Sequence, residues 1–271
     1  MVHAHPFARP RAAMHLPPPA TVELHALQGL PRVRPGDDLA ALTLAALDRQ
    51  RLALRTGDVL VYAQKIVSKA EGRIVDLASV EPSPRARELA AAVAKDPRLV
   101  ELILRESVRV VRHRPNVLIV EHRLGFVMAN AGIDQSNVDH DSTERALLLP
   151  EDPDASAASL RAELAARGGV AVGVVINDSF GRPWRRGAVG VALGCAGVAA
   201  VRDLRGTPDL YGRKLRVTDV GVADEIASAA SMVMGQAGEG LPVVLVRGLG
   251  DTGPPQTAQA LLRSAQEDLF R

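Results

Sequence analysis

The chain has 271 residues, 47% of them hydrophobic and 24% charged, with a formal net charge of +2. These values suit a soluble globular protein with ample apolar material for a core, and no basic stripe interleaved with aromatics speaks for nucleic-acid binding. No apolar run approaches the roughly 20 residues of a membrane-spanning helix, and the single cysteine, Cys195, excludes an intrachain disulfide and suits a reducing cytoplasm.

Residues 1–20 carry three His, five Pro and two Arg without an apolar centre. That composition excludes a secretory signal and predicts a disordered leader in which Met14 is an alternative start. His3 and His5 can grip a metal, but they are read as part of that leader. Residues 21–27 alternate like a strand, and Leu30-Pro31-Arg32-Val33-Arg34-Pro35-Gly36 breaks it. Asp37 or Asp38 caps a helix through Arg51, with Leu39, Leu42, Ala45, Ala46 and Leu47 at helical spacing.

Residues 58–63 read as an apolar strand. Ser83 caps, and Pro84 opens, a helix through Ala94, and a second helix runs over 97–106. Stretches 108–112, 116–121 and 124–129 read as strands, the last two joined by a tight turn at His122 and Arg123. Residues 139–143 are loop-like, 154–167 helical after an Asp-Ala-Ser start, and 170–176 a buried strand. The Gly-rich run 187–201 suggests closely packed backbone. A helix over 223–234, a closing strand over 243–246 and a terminal helix over 257–269 complete the pattern. No linker interrupts residues 21–271, so one domain is expected, and any second lobe must be interwoven with the first.

Two segments carry the chemistry. Ala129-Asn130-Ala131-Gly132-Ile133-Asp134-Gln135-Ser136-Asn137 and Asn177-Asp178-Ser179-Phe180-Gly181-Arg182-Pro183-Trp184-Arg185 each set an Asp beyond an apolar run. Asp, Asn, Ser and Gly dominate ordinary turns, which suffices for either segment alone. Two such segments together point to a hard divalent cation held against phosphate, with Asp134 and Asp178 plus the adjacent Ser179 as oxygen ligands. Asn137 is placed to read a base or a phosphate. Arg182, Arg185 and Arg186 offer positive charge for phosphate or carboxylate, and Trp184 is read as a packing anchor.

Gln64, Lys65 and Lys69 follow the 58–63 strand in a polar stretch. They suit phosphate contact, or are simply solvated, and they lack the Gly spacing of a Walker A loop. Gly235, Gln236, Ala237, Gly238, Glu239 and Gly240 follow a helix, as a C-terminal cap or as a loop folding over a nucleotide. No Gly-x-Ser-x-Gly elbow is present. Cys195 sits in an apolar run expected to hold it inert, and the scattered His residues offer no zinc spacing.

As an ordered set these residues resemble the coenzyme F-420 γ-glutamyl ligases from Thr21 to Val246. The resemblance includes Gly29-Leu30-Pro31, Arg34-Pro35-Gly36-Asp37-Asp38-Leu39, Val67-Ser68-Lys69-Ala70-Glu71-Gly72-Arg73, Gly132-Ile133-Asp134-Gln135-Ser136-Asn137, the run from Leu149 to Ser156, Asp178 to Arg185, and Tyr211-Gly212. It implies an unusual α+β fold of mixed sheets and packed helices, a homodimer, and a cytoplasmic GTP-dependent enzyme that forms an amide between L-glutamate and a deazaflavin precursor. It further implies GTP contacts at Leu30, Pro31, Arg32, Val33, Gln64, Lys69, Asn137 and the Gly235–Gly240 loop. Divalent-metal positions would be Asp134, Asp178, Ser179 and Gln236, with Mg²⁺ or Mn²⁺ bound and K⁺ as an activator. Lys69, Arg182 and Arg185 are the expected stabilisers of transferring phosphate or substrate anions. A metal-dependent phosphohydrolase and a non-catalytic nucleotide or deazaflavin sensor are the alternatives. Glutamate-dependent GDP release separates the ligase from the hydrolase.

Overall fold

The computed structural model describes residues 21–138, 143–264 and 266–268. The leader 1–20 with His3 and His5, most of the expected 139–143 loop and the end of the expected terminal helix lie outside them.

In chain order, β1 (Glu23–Ala26) leads to α1 (Leu39–Arg49), β2 (Val59–Ala63), α2 (Gln64–Ala70) and β3 (Ile74–Asp76). Helices α3 (Pro84–Val93) and α4 (Pro97–Arg105) follow, then β4 (Ser107–Arg114), β5 (Val117–His122), β6 (Val127–Ala129) and β7 (Arg145–Leu147). The chain continues through α5 (Pro153–Gly168), β8 (Gly173–Arg182), β9 (Arg185–Ala196), β10 (Arg202–Asp203), β11 (Asp219–Val220), α6 (Val222–Met234) and β12 (Val243–Arg247). The architecture is α+β, with several sheets and packed helices.

A five-stranded sheet, ordered β1-β12-β2-β8-β9, forms the centre, and only β2 and β8 pair in parallel. Alternation along its strands sends Leu60, Tyr62, Val174, Ile176 and Leu245 into one core with Leu39, Leu47, Leu160 and Leu164 of α1 and α5. Val59, Val61, Val175, Val244 and Val246 face the opposite way, onto Ile226, Ala227 and Ala230 of α6. Both faces are covered, which is why these strands read as unbroken apolar runs. The expected closing strand is therefore an interior one: β12 lies between β1 and β2. A third core collects α3, α4, β5 and the turn around Ile133, including Leu89, Val100, Ile103, Leu118 and Val120.

Local signals decide several boundaries. Asp38, not Asp37, caps α1 by accepting from the Ala41 amide at 2.9 Å, while Asp37 accepts from the Arg34 amide at 2.7 Å and closes the preceding turn. Asp152 rather than Asp154 caps α5, with Pro153 at its first position. Asp154 instead accepts from the amides of Cys195 and Ala258, both at 2.8 Å. The Gly-rich run proves to be β9. A Cβ at Gly194 would lie 2.2 Å from the Pro153 carbonyl oxygen, so only glycine lets α5 approach. The expected terminal helix is reduced to a single 3₁₀ turn, Ala258–Leu261. Leu261 and Leu262 pack onto two different cores, and the Asp154 contact pins the Ala258 amide. The segment therefore spreads over the body instead of winding up.

Candidate functional site

The parallel strands end where the chemistry gathers. β2 stops at Ala63 and passes directly into α2, whereas β8 runs on through Asp178 to Arg182 with only β9 beside it. A register shift in β9, opposite Ile176 and Asn177, precedes that departure. Such irregularities bend a strand and re-aim its side chains. The expected polar stretch after β2 is thus a helix, and Asp178 lies inside a strand instead of in a turn beyond one.

Four segments distant in sequence meet here. Lys65 and Lys69 stand one turn apart on α2. Lys65 Nζ lies 2.6 Å from the Asp134 carboxylate and donates to Ser136 Oγ at 2.7 Å. The Asp134 carboxylate also accepts from the Ser136 amide and hydroxyl at 2.7 and 2.9 Å. Lys69 Nζ donates to the Asn137 carbonyl at 2.6 Å, and Asn137 Nδ2 donates to the Ala237 carbonyl at 3.0 Å. Those last contacts tie α2, the turn carrying Asp134 and the glycine loop together. The turn is wound tightly: Asn130, Ala131 and Asn137 all have left-handed φ, near +54°, +53° and +55°. Strain of this kind persists only where the surroundings impose it.

Electrostatics join Asp178 to the group. Burial pushes its carboxyl up to about 6; the Ser179 amide and the Lys65 ammonium pull it down, and Asp134 pushes it up again. Burial also raises Asp134, but the Lys65 ammonium with the Ser136 amide and hydroxyl outweigh it and hold that carboxyl below its usual range. Two carboxylates of different segments therefore share one electrostatic environment, in which Lys65 acts on both. Among the described residues no cluster of three or more His, Cys, Asp and Glu side chains converges. The donor set fits a hard cation such as Mg²⁺ or Mn²⁺, which takes one or two carboxylates and fills its remaining positions with water and phosphate oxygens. A divalent charge there would reverse the upward push on Asp178.

The remaining expected residues fall in several places. Asp178 and Ser179 are neighbours on a regular stretch of β8, so their side chains leave opposite faces of the strand. Phe180, on the Asp178 side, meets Phe126 edge-on at 6.0 Å, whereas Asn177, on the Ser179 side, contacts Met234 of α6. Gln236 belongs with α6 as well, donating to Ser231 Oγ at 2.7 Å. The four expected ligands are thus sorted into two pairs about β8.

Gln64 is buried, and its side-chain carbonyl accepts from Ser68 Oγ one turn on, at 2.9 Å. Its side chain is not presented to a nucleotide, because as the first residue of α2 it turns into the core. Pro31 and Arg32 are exposed, Leu30 is half-buried, and Val33 is buried in the main core. This segment is fastened to the end of α2 by the Gly36 amide, which donates to the Ala70 carbonyl at 2.8 Å. Gly235 ends α6 with φ +76°, and a Cβ there would strike the Glu239 side chain at 2.2 Å. Glu239 accepts from the Ala237 amide at 2.8 Å, and loop amides, its own first, lower its carboxyl. Gly238 and Gly240 complete the loop.

Arg182, Arg185 and Arg186 lie at the far end of the β8–β9 hairpin. Trp184 between them is 88% exposed, so it anchors no packing within the chain. It occupies a left-handed turn position behind Pro183, where no core side chain stands over it. Lys65, read from the sequence only as a phosphate contact or a solvated lysine, proves to be the direct partner of Asp134. Its signal was spacing: four positions before Lys69, at the strand-to-helix junction. Cavities of about 490 Å³ beside Leu44 and Leu54, and of about 340 Å³ beside Ile226 and Leu249, lie away from these groups. An open polar cradle suits a metal-bound polyphosphate better than an apolar hollow does.

Cys195 is buried, and its thiol is pushed up to about 12 by burial and then by Asp154 and Asp224, which keeps it inert. Among the described residues no helix is long and apolar enough to cross a membrane.

Comparison with known proteins gives consistent matches. Residues 29–248 match the family model described as F420-0:Gamma-glutamyl ligase. A protein of Methanopyrus kandleri named Coenzyme F420:L-glutamate ligase is 49% identical over 244 residues, covering 89% of this chain and 94% of that protein. Proteins of the same name from Methanothermobacter thermautotrophicus and Archaeoglobus fulgidus are 47% and 45% identical. Each spans 92% of this chain, with 99% and 96% of their own lengths covered.

Proposed function

The chain belongs to the F420-0:γ-glutamyl ligase family, and on that premise we propose that it joins L-glutamate to the terminal carboxylate of a deazaflavin precursor at the expense of GTP. The observation that carries the reading is the Asp134–Lys65 contact within electrostatic reach of Asp178, with Lys69, Asn137 and Ala237 linked beside it. Family membership supplies the substrates; this cradle supports the nucleotide and the metal.

In the proposed reaction a carboxylate oxygen of the phospholactyl arm attacks the γ-phosphorus of GTP, and the bond to GDP breaks. The resulting acyl phosphate is attacked at its carbonyl carbon by the glutamate amine. Phosphate departs with the bonding electrons, the amine loses its proton, and an amide remains. A second cycle on the new γ-carboxylate would extend a γ-linked tail. Mg²⁺ or Mn²⁺ at Asp134 and Asp178 would offset the charge of the polyphosphate during transfer.

The chain's own groups do the positioning. Lys65 contacts the Asp134 carboxylate and also Ser136, which itself donates to that carboxylate, so Asp134 is aimed before any ligand arrives. Lys69, held at the Asn137 carbonyl, brings a second ammonium to the same face. Asn137, held left-handed, fastens the glycine loop over that ammonium. Leu30, Pro31, Arg32 and Val33 would form the nucleotide's outer edge, with K⁺ as an activating ion. A homodimer is part of the proposal, supported by Leu210, Tyr211 and Val217, which stand 86–96% exposed between β10 and β11.

Mass spectrometry of the purified chain incubated with deazaflavin precursor, GTP, Mn²⁺ and L-glutamate tests the reading. Gain of glutamyl units with stoichiometric GDP is expected. GDP release that ignores glutamate would instead identify a phosphohydrolase.

A further inference from the structure

The far end of the β8–β9 hairpin remains without a role. Trp184 is the only tryptophan of the chain, and 88% of it is open to water. Its φ of +65° follows a proline, a turn position that glycine fills without strain. Large aromatic side chains contribute most when buried, so a fold that holds one out on a left-handed turn gains nothing from it in the free chain. Beside it Arg182 has its Nε enclosed and without a hydrogen-bond partner, while Arg185 and Arg186 are exposed.

Strand geometry places this tip relative to the cradle. Arg182 lies four residues beyond Asp178 on the same strand, about 13 Å along, and Trp184 sits in the two-residue turn just past it, since Arg182 pairs with Arg185 across a register shift. The proposed acceptor has a carboxylate at one end, then a phosphodiester, then a polyol chain and a flat fused heterocycle. About ten single bonds separate its carboxylate carbon from the ring, or roughly 12 Å when extended, and the ring adds several more. With the carboxylate at the Asp134/Asp178 cradle, the ring would reach the hairpin tip. The phosphodiester would fall within reach of a guanidinium directed back along the strand from Arg182.

We infer that the β8–β9 hairpin is the acceptor-binding arm: Trp184 is the stacking platform for the planar heterocycle, and Arg182 receives the phosphodiester. This rests on the ligase reading above. It gives Arg182 a binding role on the acceptor, at a distance from the transferring phosphoryl group. Aromatic stacking tolerates an open platform, because the ring needs one flat face and its polar edges stay in water.

The single tryptophan is also the reporter. Full-length protein is titrated with deazaflavin precursor while Trp184 emission is followed, with free N-acetyltryptophanamide correcting for absorption by the ligand. Steady-state kinetics are measured in parallel on wild type, Trp184→Phe, Trp184→Ala and Arg182→Gln. Saturable quenching by the precursor is expected, with none by GTP alone. Trp184→Ala is expected to raise KM for the precursor about tenfold with kcat and KM for GTP nearly unchanged, and Trp184→Phe to recover most of the loss.

Quenching by GTP alone would assign the platform to guanine and overturn the inference. Emission that is already shielded in the free protein, and that reddens on dilution, would assign Trp184 to contact with a second copy and overturn it as well. Wild type that ligates glutamate yet shows neither quenching nor a KM change refutes the arm but leaves the ligase reading intact. Absence of ligation by folded wild type refutes both.

Discussion

Asp178→Asn separates what the site does for function from what it costs the fold. In the metal-free protein the Asp178 carboxyl is raised from 3.8 to about 6, chiefly by burial. At about 1.4 kcal/mol per unit, that shift is a ceiling near 3 kcal/mol. Partial exposure to solvent reduces it to about 1–2 kcal/mol. Below about pH 4 the folded and unfolded chains both hold this proton, and the site costs little. Between about pH 4 and 6 the folded chain holds the proton that the unfolded chain has released, so stability falls as pH rises through that window. Asparagine has no such step.

Thermal unfolding in chelator should therefore show Asp178→Asn matching wild type near pH 4 and exceeding it by about 1–2 kcal/mol near pH 7. For a chain of this length that is a few degrees, at about 2–4 °C per kcal/mol. Adding Mn²⁺ should raise the wild-type midpoint and leave the variant's unchanged, since only a ligand bound to the native state stabilises it. Ligase activity of the variant should be abolished. A metal-free variant less stable than wild type near pH 7 would refute the reasoning, as would a variant that keeps its response to Mn²⁺.

Four further outcomes follow from the coordinates. Lys65→Ala removes the ammonium that competes for Asp134, so calorimetry should show several-fold tighter Mn²⁺ binding alongside slower turnover. Gly194→Ala places a Cβ 2.2 Å from the Pro153 carbonyl oxygen and should cost about 1–3 kcal/mol, measured as a lowered denaturation midpoint at constant slope. Asp58 is 2% exposed and receives Arg247 through two bonds of 2.8 and 2.6 Å. Asp58→Ala leaves that guanidinium with only the Ala53 carbonyl as partner and should cost about 3 kcal/mol in the same assay. Cys195, its thiol pushed up to about 12, should resist iodoacetamide near pH 8 in the native protein and react on unfolding; rapid native alkylation would contradict its burial.

Much of the chain's layout was legible before the structure. Ser83 with Pro84 fixes a helix start, and the Asp37–Asp38 pair narrows another to Asp38, through a side-chain oxygen meeting a backbone amide, an interaction confined to a few neighbouring residues. The site was legible only as fragments. Asp134 and Asp178 were visible as acids near apolar runs. That Ser179 would turn away from Asp178 depended on β8 continuing past β2, which no local residue announces. Gln64 read as an exposed side chain, because a polar residue at a strand end looks solvated until the helix it opens rotates it inward. Trp184 misled in the opposite direction, since the apolar habit of tryptophan argues for burial while a two-residue hairpin turn leaves no core above it.

The sequence by itself determined most helix extents, the Ser83 cap, the apolar strands, the small-residue run and, through the ordered motifs, the family, because each depends on chemistry between near neighbours or on residue identity alone. Tertiary structure decided which acids share a field, which ammonium acts on both, and on which side of β8 each expected ligand stands. Those matters follow from strand order and register, which are set by how two cores share one sheet. A pairing distant along the chain leaves no mark on the residues that make it.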